Sequence, residues 1–121
     1  MKRIILFAIL ILCSMGAGTR KITWVAIGDS ITYLNDHPDE TGNRLTKGYM
    51  TKLTEKFPNV QYINQGHNGW TAVEIAAKIE SLGLVKANVY SVFLGTNDWW
   101  RGNPIGTLDD YQQQTGTGTL Y

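Results

Sequence analysis

The sequence predicts an α/β fold with a parallel sheet, and three observations support that prediction. Three short runs rich in β-branched and aromatic residues alternate with segments of helical periodicity, which is typical of parallel β-α-β units. Each run is followed by glycine and small polar residues, as at the ends of strands. A length of 121 residues, of which 43% are hydrophobic, suits one globular domain.

The N-terminal residues 1–18 have the pattern of a secretory signal. Lys2 and Arg3 precede an uninterrupted apolar run over residues 4–13, which is shorter than the roughly 20 residues that a bilayer-spanning helix needs. Small residues follow the run, as at a signal-peptidase site. We therefore expect a secreted or periplasmic product with no membrane span after cleavage. Acylation of Cys13, as in a lipoprotein, is the alternative.

Charge and cysteine content exclude several classes of partner. The formal net charge is +1, from 11 basic and 10 acidic residues without a basic run, so no nucleic-acid partner is expected. Cys13 is the only cysteine and falls within the predicted signal, so the mature chain has no disulfide and no Cys/His zinc site. No metal and no other cofactor is predicted.

The first half of the predicted domain contains one strand and one helix. A buried strand is predicted over residues 22–27, ended by Gly28. After a loop over residues 35–43, apolar residues recur every four positions, which predicts a helix that stops before Pro58. These apolar residues are Leu45, Tyr49, Leu53 and Phe57.

The second half adds two strands around a capped helix. Residues 60–64 suit a strand, and residues 89–94 suit another because β-branched and aromatic side chains are nearly continuous there. Between them Thr71 and Glu74 have the spacing of a capping box, which predicts a helix that begins at Thr71 and ends at Gly83. No fourth strand is predicted beyond this point.

The loops that follow the three strands carry the residues suited to chemistry. They cover residues 28–32, 64–71 and 95–98, and each combines glycine with small polar side chains. In open parallel sheets ligands bind at this end of the strands. Glycine allows the backbone to approach a substrate closely, and serine, asparagine and free N–H groups supply the donors that an oxyanion needs. The pattern therefore indicates acyl transfer.

In order, these loops resemble the three sequence blocks of the SGNH (GDSL) hydrolase family of esterases and lipases. The matches are Gly-Asp-Ser at residues 28–30, Asn-x-x-x-x-Gly at 64–69 and Gly-x-Asn-Asp at 95–98, and the resemblance covers roughly residues 21–110. It implies a flavodoxin-like, three-layer α/β/α fold with five parallel strands. It also implies a serine esterase that hydrolyses carboxylic esters.

The resemblance assigns three catalytic residues. Ser30 matches the nucleophile, whose own backbone N–H would also contribute to the oxyanion hole. Gly69 matches the glycine whose N–H points into that hole, and Asn97 matches the asparagine whose side-chain amide completes it. Taken alone, a serine in the place of Ser30 is more often a helix N-cap than a nucleophile, and it is the presence of Gly69 and Asn97 that favours the nucleophile.

Four neighbouring residues are predicted to have supporting roles. Asp29 and Asp98 adjoin the catalytic candidates and are expected to hold loop backbones through hydrogen bonds. Gly66 is expected to form a turn, and Asn64 to tie the second loop to its neighbours.

One element of the family pattern is absent from these residues. The family supplies its general base and orienting acid from a late Asp-x-x-His motif, and no such motif occurs here. Of the two histidines, only His67 lies in a functional loop, and His37 is followed by proline. We therefore expect residues 21–121 to be the N-terminal part of an SGNH domain without its C-terminal strands, weakly active or inactive alone.

The sequence leaves the substrate and one alternative function open. Trp70, Trp99 and Trp100 lie beside the second and third motifs, where they would form either an aromatic platform for an acylated carbohydrate or a cover over the sheet edge. The predicted partner is a small-molecule or carbohydrate ester. The alternative function is a non-catalytic module on the same fold that binds a carbohydrate or an anion.

Overall fold

A computed structural model describes residues 19–113. The predicted signal sequence and residues 114–121 lie outside the described residues. Two 3-10 turns, Leu34–Asp36 and Pro38–Thr41, lie between residues 33 and 49. The regular elements, in chain order, are β1 (Ile22–Gly28), α1 (Ser30–Tyr33), α2 (Tyr49–Lys56), β2 (Val60–Gly66), α3 (Ala72–Lys78), β3 (Val89–Phe93), α4 (Thr96–Trp100) and α5 (Leu108–Gln113).

The three strands form a parallel sheet in the order β2-β1-β3. Successive side chains of β1 point to opposite faces, as the pleat requires. Trp24 and Ala26 pack on one face with Met50 of α2, whereas Val25 and Ile27 pack on the other with Ile75 of α3. Helices therefore cover both faces, and the predicted three-layer α/β/α arrangement is confirmed.

Three element boundaries differ from the predicted ones by two residues or more. The helix expected to include Leu45 begins only at Tyr49, because Gly48 is extended and acts as its N-cap. Strand β2 runs two residues further than predicted, to Gly66. The capping box of Thr71 and Glu74 is present, but α3 ends at Lys78 and the chain continues in turns.

Two short helices, α4 and α5, occupy the segment beyond β3, where the sequence predicted no fourth strand. Within residues 19–113 no helix is both long enough and apolar enough to cross a membrane.

Candidate active site

The carboxyl ends of all three strands meet at one edge of the sheet. Gly28, near the centre, is in register with Gly66 on one side and with Phe93 on the other. The loops that begin at these three positions contain, within four residues of them, Ser30, Gly69 and Asn97, respectively. The fold therefore brings the three predicted site loops to a common edge.

Ser30 is the first residue of α1, and its hydroxyl is not used as a cap. The N-cap is Asp29, whose buried carboxylate accepts a hydrogen bond from the Ile31 N–H at 3.0 Å. Within residues 19–113, neither the hydroxyl nor the backbone N–H of Ser30 has a hydrogen-bond partner. Asp29 thus has the supporting role predicted for it, and both polar groups of Ser30 remain available to a ligand.

The first and second loops are joined by close backbone contacts. The His67 N–H donates to the Gly28 carbonyl at 2.9 Å. A Cβ on Gly66 would lie 2.1 Å from the Tyr33 backbone nitrogen, so only glycine fits there. The prediction that Gly66 forms a turn is wrong: it is the last residue of β2, and its missing side chain lets α1 pack against that strand.

Asn64 ties the second loop to the first, as predicted. Its side-chain amide donates to the Thr32 carbonyl at 2.9 Å and to an Asp36 carboxylate oxygen at 2.7 Å. Its side-chain oxygen accepts from the Gly66 N–H at 2.8 Å. This one side chain therefore fixes the end of β2 against the C-terminus of α1.

Gly69 has the left-handed conformation that glycine favours, with φ of +79°. Its carbonyl accepts a hydrogen bond from Nη2 of Arg101 at 2.7 Å. In the described part of the chain its N–H has no acceptor. Like the N–H of Ser30, it remains available as a donor.

Asn97 lies on α4 and reaches directly into the second loop. Its Nδ2 donates to the Trp70 carbonyl at 2.8 Å, which places the amide beside the residue that follows Gly69. That bond uses one of the two hydrogens on Nδ2, and no other acceptor for the amide occurs among residues 19–113. One N–H of the Asn97 side-chain amide therefore has no acceptor among the described residues.

Asp98 holds α4 against α3, and both of its carboxylate oxygens accept hydrogen bonds. It is fully buried, and its Oδ2 accepts from the Ala72 N–H at the start of α3, at 2.8 Å. Its Oδ1 accepts from the side chain of Asn103 at 3.4 Å. This is the supporting role predicted for Asp98, although the contact spans two elements instead of lying within its own loop.

Neither histidine forms a hydrogen bond with Ser30. The His67 ring stacks on Trp70 with centroids 4.2 Å apart, and its Nε2 is buried with no partner among the described residues. Burial lowers the pKa of His67, and the nearby Lys78 lowers it further, so the ring is neutral at pH 7. His37 stacks on Tyr33 and bonds its carbonyl through Nδ1. In this arrangement neither ring accepts a hydrogen bond from the Ser30 hydroxyl.

The three tryptophans near the site differ in exposure. Trp70 is half-buried between the His67 ring and the Lys78 ammonium group, which lies 4.2 Å from its centroid. Trp99 and Trp100 on α4 are 74% and 79% exposed. In the described structure these two rings are therefore mostly open to solvent close to Asn97.

No group of three or more potential metal-ligating residues occurs within residues 19–113. One contact at the site was not anticipated from the sequence, namely the hydrogen bond from Arg101 to Gly69. The sequence carries no signal for it, because an arginine after a short helix is an ordinary surface residue.

The sequence of the chain fits one known family over most of its length. The GDSL-like Lipase/Acylhydrolase family matches residues 26–115, a segment that includes all three site loops. The chain belongs to this family. No functionally curated protein matches it.

Solved structures agree with the family assignment. A possible lipase from Chitinophaga pinensis DSM 2588 is 70% identical to this GDSL-family chain, with a TM-score of 0.80 over 84% of the chain and 39% of that protein. AlinE4, an SGNH-hydrolase family esterase, is 24% identical, with a TM-score of 0.52 over 84% of this chain and 53% of its own. LAE5, an α/β hydrolase enzyme from the Lake Arreo metagenome, is 25% identical, with a TM-score of 0.53 over 81% and 46%. The chain thus spans about half or less of each of these proteins.

Proposed function

We propose that these residues form the nucleophile and oxyanion-binding part of a serine esterase acting on carboxylic esters. One observation carries the proposal: the N–H groups of Ser30 and Gly69, two half-buried residues that follow adjacent strand ends, have no acceptor within residues 19–113. The first N–H groups of a helix have no intrahelical acceptor, so the Ser30 N–H is open to a ligand, and the Gly69 N–H is likewise unpaired within the described residues. Two free donors at one sheet edge, beside a serine hydroxyl, favour binding of a developing oxyanion.

In the proposed reaction the Ser30 Oγ attacks the ester carbonyl carbon and gives its proton to a base. The carbonyl oxygen becomes an oxyanion, which the N–H groups of Ser30 and Gly69 and the amide of Asn97 would stabilise. Collapse of this intermediate breaks the C–O bond and releases the alcohol. Water then hydrolyses the acyl group from Ser30.

We propose that the base and its orienting acid come from polypeptide outside these 121 residues. Two observations support this part of the proposal. Neither His37 nor His67 hydrogen-bonds to Ser30, and the burial of His67 Nε2 leaves its ring poorly placed to accept a proton. The matching structures also have considerably longer chains.

For the substrate we propose an acyl or acetyl ester of a small molecule or carbohydrate. The exposed rings of Trp99 and Trp100 follow Asn97 closely on α4. Sugar rings present apolar C–H faces, and exposed aromatic rings are surfaces on which such faces pack. Export directed by residues 1–18 would bring the enzyme to extracellular or periplasmic esters.

The proposal is tested with phenylboronic acid at mildly alkaline pH, where its boron can bond to the Ser30 oxygen while the hydroxyl proton passes to the buffer. The product is a tetrahedral boronate anion, and its formation requires neither a leaving group nor a base from the protein. Added to the ¹⁵N-labelled chain, phenylboronic acid should shift the NMR signals of the Ser30 and Gly69 amides and of the Asn97 side chain. The Ser30→Ala variant should lose this binding. Ser81→Ala, which removes an exposed serine elsewhere on the surface, should retain it.

Two results would contradict the proposal. If the boronate shifts the Ser30 signal but not the signals of Gly69 and Asn97, the three residues do not share one ligand site. Binding that survives in Ser30→Ala, at the same affinity and with the same shifts, would instead favour the non-catalytic anion-binding module on this fold.

A further inference from the structure

The first turn of α4 contacts the start of α3 through two hydrogen bonds. Asn97 Nδ2 donates to the Trp70 carbonyl at 2.8 Å, and the Ala72 N–H donates to Asp98 Oδ2, also at 2.8 Å. The acceptor for Asn97 is thus the carbonyl of the peptide that joins Trp70 to Thr71. What holds this peptide also determines where the Asn97 amide finds its partner.

The N–H of the same peptide is held by Glu74. The Thr71 N–H donates to Glu74 Oε2 at 2.8 Å, and the Thr71 hydroxyl donates to the same oxygen at 3.1 Å. These hydrogen bonds, and after them the charge of Arg101, lower the pKa of Glu74, so its side chain is a carboxylate at neutral pH. One peptide is therefore bonded to Glu74 through its N–H and to Asn97 through its carbonyl.

The two polar groups of this peptide turn together. A peptide bond is planar, and no cis peptide occurs within residues 19–113, so the Trp70 carbonyl and the Thr71 N–H point in opposite directions in one plane. Rotation of that plane about the neighbouring Cα atoms would move both groups at once. By accepting the N–H, Glu74 therefore also fixes the direction of the carbonyl.

The direction of that carbonyl determines which side of the Asn97 carboxamide faces Trp70. A carbonyl oxygen only accepts hydrogen bonds, so it attracts Nδ2 and repels Oδ1. With Nδ2 bound there, its second N–H has no acceptor in the described part of the chain. If the carbonyl turned away, the carboxamide could rotate by half a turn, and an oxygen lone pair would lie where the unpaired N–H had been.

We infer that Glu74 is a positioning residue that keeps the Asn97 carboxamide in its donor-presenting orientation, through the peptide that joins Trp70 to Thr71. The inference rests on the proposed function, in which the unpaired Asn97 N–H binds an oxyanion. The spacing of Thr71 and Glu74 predicted the cap of α3, and the contact between Asn97 and Trp70 gives the same glutamate a second role.

Four variants separate this role from the capping of α3. Glu74→Ala removes the acceptor for the Thr71 N–H and should fold, because its ion pair with Arg101 is largely exposed. Glu74→Gln keeps an acceptor oxygen for that N–H but loses the charge. Thr71→Ala removes the hydroxyl that caps α3 by accepting from the Glu74 N–H at 3.1 Å, and it leaves the Thr71 N–H in place. Glu55→Ala is the matched control, since Glu55 is similarly exposed and pairs with Lys47 outside the three site loops.

The experiment measures two quantities in the wild type and the four variants. The first is the pair of NMR signals from the Asn97 side-chain amide in the unliganded chain, together with their exchange with water. In the wild type the two signals should be well separated, and the hydrogen bound to the Trp70 carbonyl should exchange more slowly. The second quantity is the affinity for phenylboronic acid at mildly alkaline pH.

Among the four variants, only Glu74→Ala should release the Asn97 carboxamide. Its two signals should converge, and the slow exchange should be lost. Boronate binding should weaken about twofold, as expected if a carboxamide without a preferred orientation is correctly placed about half the time. Glu74→Gln, Thr71→Ala and Glu55→Ala should keep the wild-type Asn97 signals, although Thr71→Ala should lower the midpoint of thermal unfolding.

Three results would overturn the inference. Asn97 signals in Glu74→Ala that match those of Glu55→Ala would show that the peptide does not need Glu74. Equal changes in Thr71→Ala and Glu74→Ala would assign the effect to the cap of α3. Equal changes in Glu74→Gln and Glu74→Ala would assign it to the ion pair with Arg101.

The two readouts also separate this inference from the proposed function. If the wild type does not bind the boronate, the proposed function fails, and the unliganded Asn97 signals still test Glu74. If the Asn97 signals converge in Glu74→Ala while the boronate affinity is unchanged, the role of Glu74 is supported and the oxyanion role of Asn97 is contradicted.

Discussion

The half of the sheet on the β2 side of β1 and the half on the β3 side position the site in different ways. On the β2 side, the cluster of Trp24, Ala26 and Met50 is buried, and Gly66 allows direct backbone contact between α1 and β2. On the β3 side, Val92 is 66% and Phe93 51% exposed. Apolar packing therefore supports the first and second loops most strongly, whereas the side chains of β3 are largely exposed despite the edge-on contact of Phe93 with Tyr49.

The third loop depends instead on hydrogen bonds to its neighbours. These run from Ala72 to Asp98, from Asn97 to the Trp70 carbonyl and from Arg101 to the Gly69 carbonyl. The comparison teaches that the position of the serine depends on the core, while the positions of Gly69 and Asn97, the other two proposed oxyanion donors, depend on a few polar contacts. Substitutions on the two sides should consequently have different effects.

The largest expected effect is on the β2 side, where Met50 is fully buried. Met50→Ala leaves a cavity and should lower the free energy of unfolding by about 2–5 kcal/mol. Val92→Ala on β3 should change it by no more than about 0.5 kcal/mol, because that side chain is mostly exposed. Urea unfolding followed by tryptophan fluorescence measures both.

Equal losses for Met50→Ala and Val92→Ala would show that the two sides are equally packed and would refute the comparison. Met50→Leu, which nearly conserves volume, should cost less than about 1.5 kcal/mol and remains measurable if the alanine variant does not fold.

A smaller, pH-dependent effect is expected in the second loop, at the stack of His67 on Trp70. Burial and Lys78 lower the pKa of His67 below 6.5, so the unfolded chain binds the proton more tightly than the folded chain. The stability contributed by the neutral ring is complete above about pH 6.5 and is lost as pH falls through the folded-state pKa. The midpoint of thermal unfolding should therefore fall on mild acidification.

His67→Phe keeps an aromatic ring for the stack and sacrifices no hydrogen bond of Nε2, which has no partner within residues 19–113. It should abolish the loss that begins near pH 6.5 and leave only the decline at lower pH, where carboxylates titrate. His37→Phe, which retains His67, should keep the full dependence. An unchanged slope in His67→Phe would rule out this stack as the source.

Local patterns were sufficient to predict much of the fold. Runs of β-branched residues located all three strands to within two residues, and the spacing of Thr71 and Glu74 located the start of α3. Both signals lie within single elements, where neighbouring residues determine the conformation. The resemblance of the strand-end loops to one family named Ser30, Gly69 and Asn97 together, and the fold brings those loops to one edge.

The errors concern contacts between elements. Gly66 was predicted to form a turn because its sequence neighbours suggest one, whereas its role depends on the backbone of Tyr33, far away in sequence. Leu45 continues a helical spacing, but the chain there is not helical because Gly48 starts the helix later. No sequence pattern marks Arg101, because its contact with Gly69 joins two loops that are far apart in the chain.

The central claim is that one oxygen of a tetrahedral adduct on Ser30 can reach the donors of all three loops. The most direct measurement is a crystal structure of the chain with phenylboronic acid bound. We predict boron attached to Ser30 Oγ and one boronate oxygen within about 3 Å of both the Gly69 nitrogen and Asn97 Nδ2. A boronate on Ser30 with Gly69 N–H and Asn97 Nδ2 both directed elsewhere would contradict the account.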